Sequence, residues 1–272
     1  MLDAAPSVSI LQRTRGRAAV RLVQHAEGAR LTDLHQSGSA KAMLPRMHGA
    51  APEVVFLNTS GGLTGGDRLD YALDLGAGVR AVATTQTAER AYASSGGHAE
   101  LSVRLTLGPG AALDWLPQET ILFDQSRLTR RLNADLAADA RLLLAECVVL
   151  GRAAMGETLH DIDLTDWREV RRAGQPVFLE PLRLTPQTLT AGPAALAAYR
   201  AFATIALIAP GAEDMLATVR RTLPEGMMAA ASAWDGKCVV RLMAVDAMPL
   251  KAAMAQLLGV IRGKPLPRVW QI

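Results

Sequence analysis

A mainly β fold of two packed sheets, a stack of solenoid-type units or a sandwich, with a smaller α+β part at the C-terminal end, is what the sequence predicts. Three observations carry it. Between residues 54 and 150 the apolar residues come in short alternating runs, the period of strands. Three related turn texts, Leu75-Gly76-Ala77-Gly78-Val79, Leu107-Gly108-Pro109-Gly110-Ala111 and Leu136-Ala137-Ala138-Asp139-Ala140, recur about 30 residues apart, each after an apolar strand end. Helical spacing is confined to two stretches beyond residue 190. Repetition at that interval points to stacked solenoid-type units. A sandwich of hairpins also spaces its turns evenly, at about 8–12 residues, and either reading sets two sheets face to face.

Residues 7–25 alternate and carry Arg13, Arg15, Arg17 and Arg21, which predicts one or two strands with a solvated face. From Leu31 to Gly49 the text is polar and mixed, and it holds His35 and His48. Leu101, Val103, Leu105 and Leu107 face one way and Ser102, Arg104 and Thr106 the other, a half-buried strand. Arg127 to Leu136 repeats this alternation less cleanly. Arg141 to Leu150 is nearly continuous apolar text, which suits a strand covered on both faces. Asp161 to Leu184 reads as a hairpin turning at Ala173-Gly174-Gln175-Pro176, and Ser232 to Val245 as another turning at Asp235-Gly236. Glu213 to Leu223 has helical spacing, and Pro249 opens a second helix that stops at Gly263. No linker interrupts the chain, so 1–272 is expected to form one domain, with a β stack over 1–190 and the α+β part over 191–272.

Composition removes several classes of function. Half of the residues are hydrophobic, yet no apolar run approaches the ~20 residues that span a bilayer, so no membrane association is expected. The start lacks a secretory pattern, and Cys147 and Cys238 sit far apart in apolar runs, as free thiols do in a reducing cytoplasm. A net charge of +3 and only 4% aromatic residues make nucleic acid a poor partner.

The stretch that organises the chain is Leu57-Asn58-Thr59-Ser60-Gly61-Gly62-Leu63-Thr64-Gly65-Gly66-Asp67. Its glycines, Gly61, Gly62, Gly65 and Gly66, specify a tight loop that something can approach closely. The spacing fits neither G-x-G-x-x-G nor G-x-x-x-x-G-K-[ST], and strand text follows where a phosphate cradle needs a helix. Ser60 lies outside a G-x-S-x-G elbow, and no histidine sits in a recognisable partner motif, so no catalytic residues are expected. The alternative is a β-fold hydrolase using Ser60 or Thr85. No paired His or Cys spacing supports a fixed metal site. Single carboxylates inside apolar text suit a transient cation path instead: Asp67, Glu119, Glu146 and Glu157. Each also has a local reading. Asp67 caps a turn or pairs with Arg68, and Glu146, costly as a bare buried charge, is neutralised by an arginine such as Arg152.

The glycine stretch, together with Thr84-Thr85-Gln86, Gly108-Pro109-Gly110-Ala111, Trp115-Leu116-Pro117-Gln118-Glu119-Thr120-Ile121, Phe123-Asp124, Gly151-Arg152, Met155-Gly156-Glu157 and Pro267-Arg268-Val269-Trp270, resembles the urease accessory proteins of the UreD (also UreH) family. The resemblance covers nearly the whole chain and is weakest before about Pro45. It implies a β-helix-like stack and a non-catalytic scaffold that binds apo-urease with UreF and, through UreF, the GTPase UreG. It also implies help in routing nickel to the urease active site, with no tightly bound cofactor, a transient Ni2+, and Thr85, Gln86 and Gln118 as polar channel candidates beside the four acids. An apolar helix stripe left uncovered in the C-terminal third would be a docking surface for the UreF-like partner.

Overall fold

The computed structural model describes residues 12–46 and 51–271. A hairpin of β1 (Arg15–His25) and β2 (Gly28–Gly38) leads through β3 (Ala40–Met43) into β4 (Glu53–Asn58). From there the chain winds between two sheets. It passes β5 (Arg68–Leu75), β6 (Arg80–Thr85), the short β7 (Glu89–Ala91), β8 (Ala99–Leu107) and β9 (Ala112–Leu116). The circuit repeats through β10 (Thr120–Leu122), β11 (Arg127–Leu136), β12 (Arg141–Leu150) and β13 (Asp163–Arg172), which pairs with β14 (Gln175–Leu184). The remainder is α1 (Pro186–Thr190), β15 (Ala201–Ile208), α2 (Leu216–Thr222), the hairpin of β16 (Met228–Trp234) and β17 (Lys237–Ala244), and α3 (Ala247–Arg262).

The first sheet runs β14-β13-β11-β8-β5-β1-β2, and the second runs β16-β17-β15-β12-β9-β6-β4-β3, with β10 beside β12 and β7. The repeat legible in the sequence is one coil of this stack. Leu75 pairs with Leu107 and Leu107 with Leu136 in parallel register. The three turns stack as well: the Gly108 N–H donates to the Leu75 carbonyl and the Ala137 N–H to that of Leu107, both at 2.8 Å. This seam is tight. The opposite seam is built of long corners, residues 59–67, 86–98, 117–126 and 151–162, and most of the motif text lies there.

Leucines at alternate positions of β5, β8 and β11 point between the sheets and form the main core with β6, β9 and β12. Phe56, Tyr71 and Trp115 tie the two sheets together, with ring centroids 4.8 and 6.0 Å from Phe56. A second core lies on the far face of the second sheet, under α2 and α3. That sheet is therefore covered on both faces, which is why β12 reads as unbroken apolar text. The strands β15 to β17 extend the same sheet.

Three expectations change. The polar text after Leu31, to which no element was assigned, continues β2, an edge strand exposed over most of its length. His48, and the part of the first strand assigned before residue 12, lie outside the described residues. The last helix starts at Ala247 with Asp246 as its N-cap, so Pro249 falls within its first turn, where a missing N–H costs no helix bond. Of its stripe, Leu250, Met254, Leu257 and Leu258 are buried and Ile261 is partly buried against the same core, so the stripe is covered rather than open for docking.

Candidate functional site

The glycine loop is held by its own acid. Asp67 is buried and accepts the backbone N–H of Thr14 at 2.7 Å and of Thr64 at 2.8 Å, which fixes the turn without help from Arg68. Arg68 pairs with Glu100 instead. What approaches the glycines is the next corner of the same chain. A Cβ at Gly62 would meet the Tyr92 ring at 2.4 Å, and one at Gly65 would meet Ser94 Oγ at 2.0 Å and the Gly96 carbonyl at 2.3 Å. Gly65→Ala is expected to cost about 1–3 kcal/mol by thermal denaturation. Gly96→Ala, where a Cβ meets nothing, should stay within about 0.5 kcal/mol.

Behind this loop a cavity of about 60 Å³ lies between the sheets. Its wall includes Asn58, Thr85, Glu89, Gln118, Arg130 and Glu146, together with Tyr71, Trp115, Asp166 and Arg168, and it takes in the exposed Gly61 and Thr87. Of the residues nominated from sequence, Gly61, Thr85, Gln118 and Glu146 converge here. The others do not. Gln86 is exposed, and its N–H donates to the Phe56 carbonyl. Glu119 lies under α3 beside Cys147, with Lys251 Nζ at 3.4 Å. Glu157 is locked in its corner by Arg152 and by the N–H of Asp124, and these bonds hold its carboxyl below the usual range.

Glu146 is paired, but with a different arginine from the expected one. Arg152 is taken by Glu157, while Arg130 reaches across from the facing sheet. Arg130 Nη2 stands 2.9 Å from Glu146 Oε2 and 2.7 Å from Asp166 Oδ2, and its Nη1 donates to Thr120. Trp115 Nε1 donates to the other Glu146 oxygen at 3.0 Å. The chain of charges continues through Arg168, which bonds Asp166 and, at 2.7 Å, Glu180, and then through Arg241 to the surface. Burial alone would raise the Asp166 carboxyl, but Arg130 and Arg168 outweigh it and hold the carboxyl below its ordinary range. Arg168 Nε and Gln118 Nε2 are buried donors with no partner among the described residues, so this part of the wall has hydrogen bonds to offer a guest.

Glu89 is the exception among the acids of the wall. Among the described residues no guanidinium bonds it; Asn58 Nδ2 lies 3.3 and 3.4 Å from its two oxygens, and the Arg90 N–H donates at 3.2 Å. Burial pushes its carboxyl up to about 7, against the lowering from those donors. A raised carboxyl binds its proton more tightly in the folded protein, so its contribution is full below about pH 4.5 and is lost as pH rises through 7. Glu89→Gln is therefore expected to match the wild type near pH 4.5. By pH 8.5 it should exceed it by on the order of 2 kcal/mol, read by urea denaturation across that range.

The hydroxyls of the hydrolase alternative are otherwise engaged. Ser60 Oγ lies 2.6 Å from Asn58 Oδ1, and Thr85 Oγ1 accepts the Gln118 N–H and donates to the Thr87 carbonyl. Neither has a histidine partner among the described residues. The sequence reading missed Glu89, Arg130, Asp166 and Arg168. A signal for three of them was present: Arg130 in β11, and Asp166 and Arg168 in β13, occupy inward positions of their alternations, between Leu128 and Leu132 and between Leu164 and Val170.

A family model described as the UreD urease accessory protein matches residues 14–271. A urease accessory protein UreD from Dinoroseobacter shibae is 57% identical over 264 residues, covering 96% of this chain and 94% of the relative. One from Cereibacter sphaeroides is 55% identical over 269 residues, 98% of each chain, and one from Jannaschia is 51% identical over 273 residues, the whole of both. On the strength of these matches, over a stack whose corners carry the motif residues, the chain belongs to the UreD family of urease accessory proteins.

Proposed function

We propose that this protein is a non-catalytic scaffold of urease maturation that works in the cytoplasm. It binds apo-urease together with UreF and, through UreF, the GTPase UreG, and it helps deliver nickel to the urease active site. The observation that carries this reading is the cavity between the sheets, which has acids in its wall inside an otherwise apolar stack. A cation moving through protein needs oxygen donors that bind and then release it. Glu146, Thr85 and Gln118 border this space, and each oxygen would exchange a present partner for the cation: Arg130 or Trp115 at Glu146, the Gln118 N–H at Thr85 and Lys251 at Gln118. Asp67, Glu119 and Glu157, each committed to local bonds, hold the corners and the α3 seam that frame it. No helix among the described residues is long and apolar enough to cross a membrane.

The test is genetic and then biochemical. A strain lacking this protein is expected to accumulate urease polypeptides without nickel and without activity. Normal activity in that strain would defeat the proposal. Tagged protein should co-purify urease and the two accessory subunits, and metal analysis of the complex should find nickel.

A further inference from the structure

The cavity reaches the surface at Gly61 and Thr87, and the first half of the glycine loop, residues 58–62, borders that opening. This half hangs on shared donors. Asn58 Nδ2 lies 3.4 Å from the Gly62 carbonyl oxygen and 3.3 and 3.4 Å from the two Glu89 oxygens, so one amide group serves loop and acid together. Asn58 Oδ1 accepts the N–H and the hydroxyl of Ser60 at 3.1 and 2.6 Å. Arg90 Nη1 reaches the Gly61 carbonyl at 3.5 Å, the one hydrogen bond of that guanidinium among the described residues. The second half of the loop is anchored separately, by Asp67 on the Thr64 N–H. Gly61 is exposed, and a Cβ there would meet nothing, so the first half has room to move.

The Gly61 and Gly62 carbonyls therefore compete with Glu89 for two donors. A carboxylate accepts hydrogen bonds roughly twice as strong as a neutral acceptor does, so an ionised Glu89 wins both. No other charge is placed to answer it. Tyr71 of β5 faces Glu89, but burial and the charge of that acid raise its phenol, which stays neutral. Across the cavity Arg130 of β11 is committed to Glu146 of β12, and Arg168 of β13 to Asp166 and Glu180. Arg131 of β11 is exposed, and Glu119 turns away under α3 to Lys251. We propose that Glu89 is a proton-operated latch on the mouth of the cavity: protonated, it leaves Asn58 and Arg90 to hold residues 58–62 shut, and ionised, it takes both donors and lets that half of the loop open. With the loop shut, burial holds the carboxyl up at about 7, whereas an open loop hydrates it and returns it toward 4.5. Opening is thus increasingly favoured as pH rises between those values, and the effect levels off above 7. The latch needs no metal, so it stands or falls apart from the scaffold reading.

Amide hydrogen exchange of the purified full chain, read residue by residue by NMR and corrected for the intrinsic effect of pH, tests this. Protection of the Thr59 and Ser60 amides is expected to be at least about ten-fold lower at pH 8 than at pH 5.5. The core amides of Leu105 and Leu107 should remain more protected than these at both pH values, which marks the opening as local. In Glu89→Gln the fall should vanish. A smaller fall in the wild type, a fall that persists in Glu89→Gln, or loop protection no lower than that of the core overturns the proposal. If Glu89→Gln does not fold, Asn58→Ala takes its place. Without the shared amide its Ser60 N–H should be unprotected at both pH values, and a ten-fold pH response that survives there overturns the latch equally.

Discussion

Asp166→Ala is expected to destabilise the protein by about 3–5 kcal/mol, read by urea denaturation at neutral pH. Its carboxylate lies 2.7 Å from Arg130 and also bonds Arg168, with all three side chains buried. Alanine would leave Arg130 with Glu146 alone and Arg168 sharing Glu180 with Arg241, so the network would carry one positive charge in excess. Arg68→Ala provides the contrast. The Arg68–Glu100 pair is also an arginine–carboxylate contact, at 3.4 Å, but both side chains are more than half exposed. Its loss should cost about 0–1 kcal/mol. The Asp166 effect has a pH signature. A carboxyl held below its ordinary value contributes stability above about pH 4 and loses it as acid titrates the folded group. The gap between wild type and Asp166→Ala should therefore narrow on the acid side.

Trp115→Ala should cost a similar amount, about 3–5 kcal/mol, by a different mechanism. The indole is almost wholly buried, packs against Phe56 across 6.0 Å, and donates to Glu146 at 3.0 Å. Truncation would open a void beside the cavity and leave that Glu146 oxygen without a donor. Trp115→Phe narrows the comparison, since it keeps one aromatic ring and removes the N–H together with part of the indole. A loss of about 1–3 kcal/mol there would set an upper bound on the hydrogen bond to a buried charge. A loss as large as that of alanine would show the donor to matter more than the packing.

These sites also mark where the sequence could be read and where it could not. The coil was legible because its turns repeat in the chain, and Leu75, Leu107 and Leu136 do pair in register. Both hairpins were legible because a two-residue turn needs positive φ, and Ala173-Gly174 and Asp235-Gly236 supply it. β2 was not, because an edge strand with little buried surface has no reason to alternate. The partner of Glu146 was hidden for another reason. The acid was visible as a charge in apolar text, but the arginine chosen for it was Arg152, just beyond the end of β12, whereas the stack brings Arg130 from the facing sheet. Inter-sheet neighbours are set by the winding of the coil, which local pattern does not encode. Glu89 gave no pattern at all, since β7 is three residues long.

The ends of the first sheet have a consequence of their own. Its parallel interior is closed at both margins by a strand running the opposite way, β2 against β1 and β14 against β13. One margin carries Arg30 and Asp33, and the other carries Pro176 and Pro181, which lack the N–H that a newcomer would need. A parallel stack is otherwise an open-ended polymer template, able to recruit one molecule after another. Terminated this way, it stays a unit of fixed length, guarded against fibre growth.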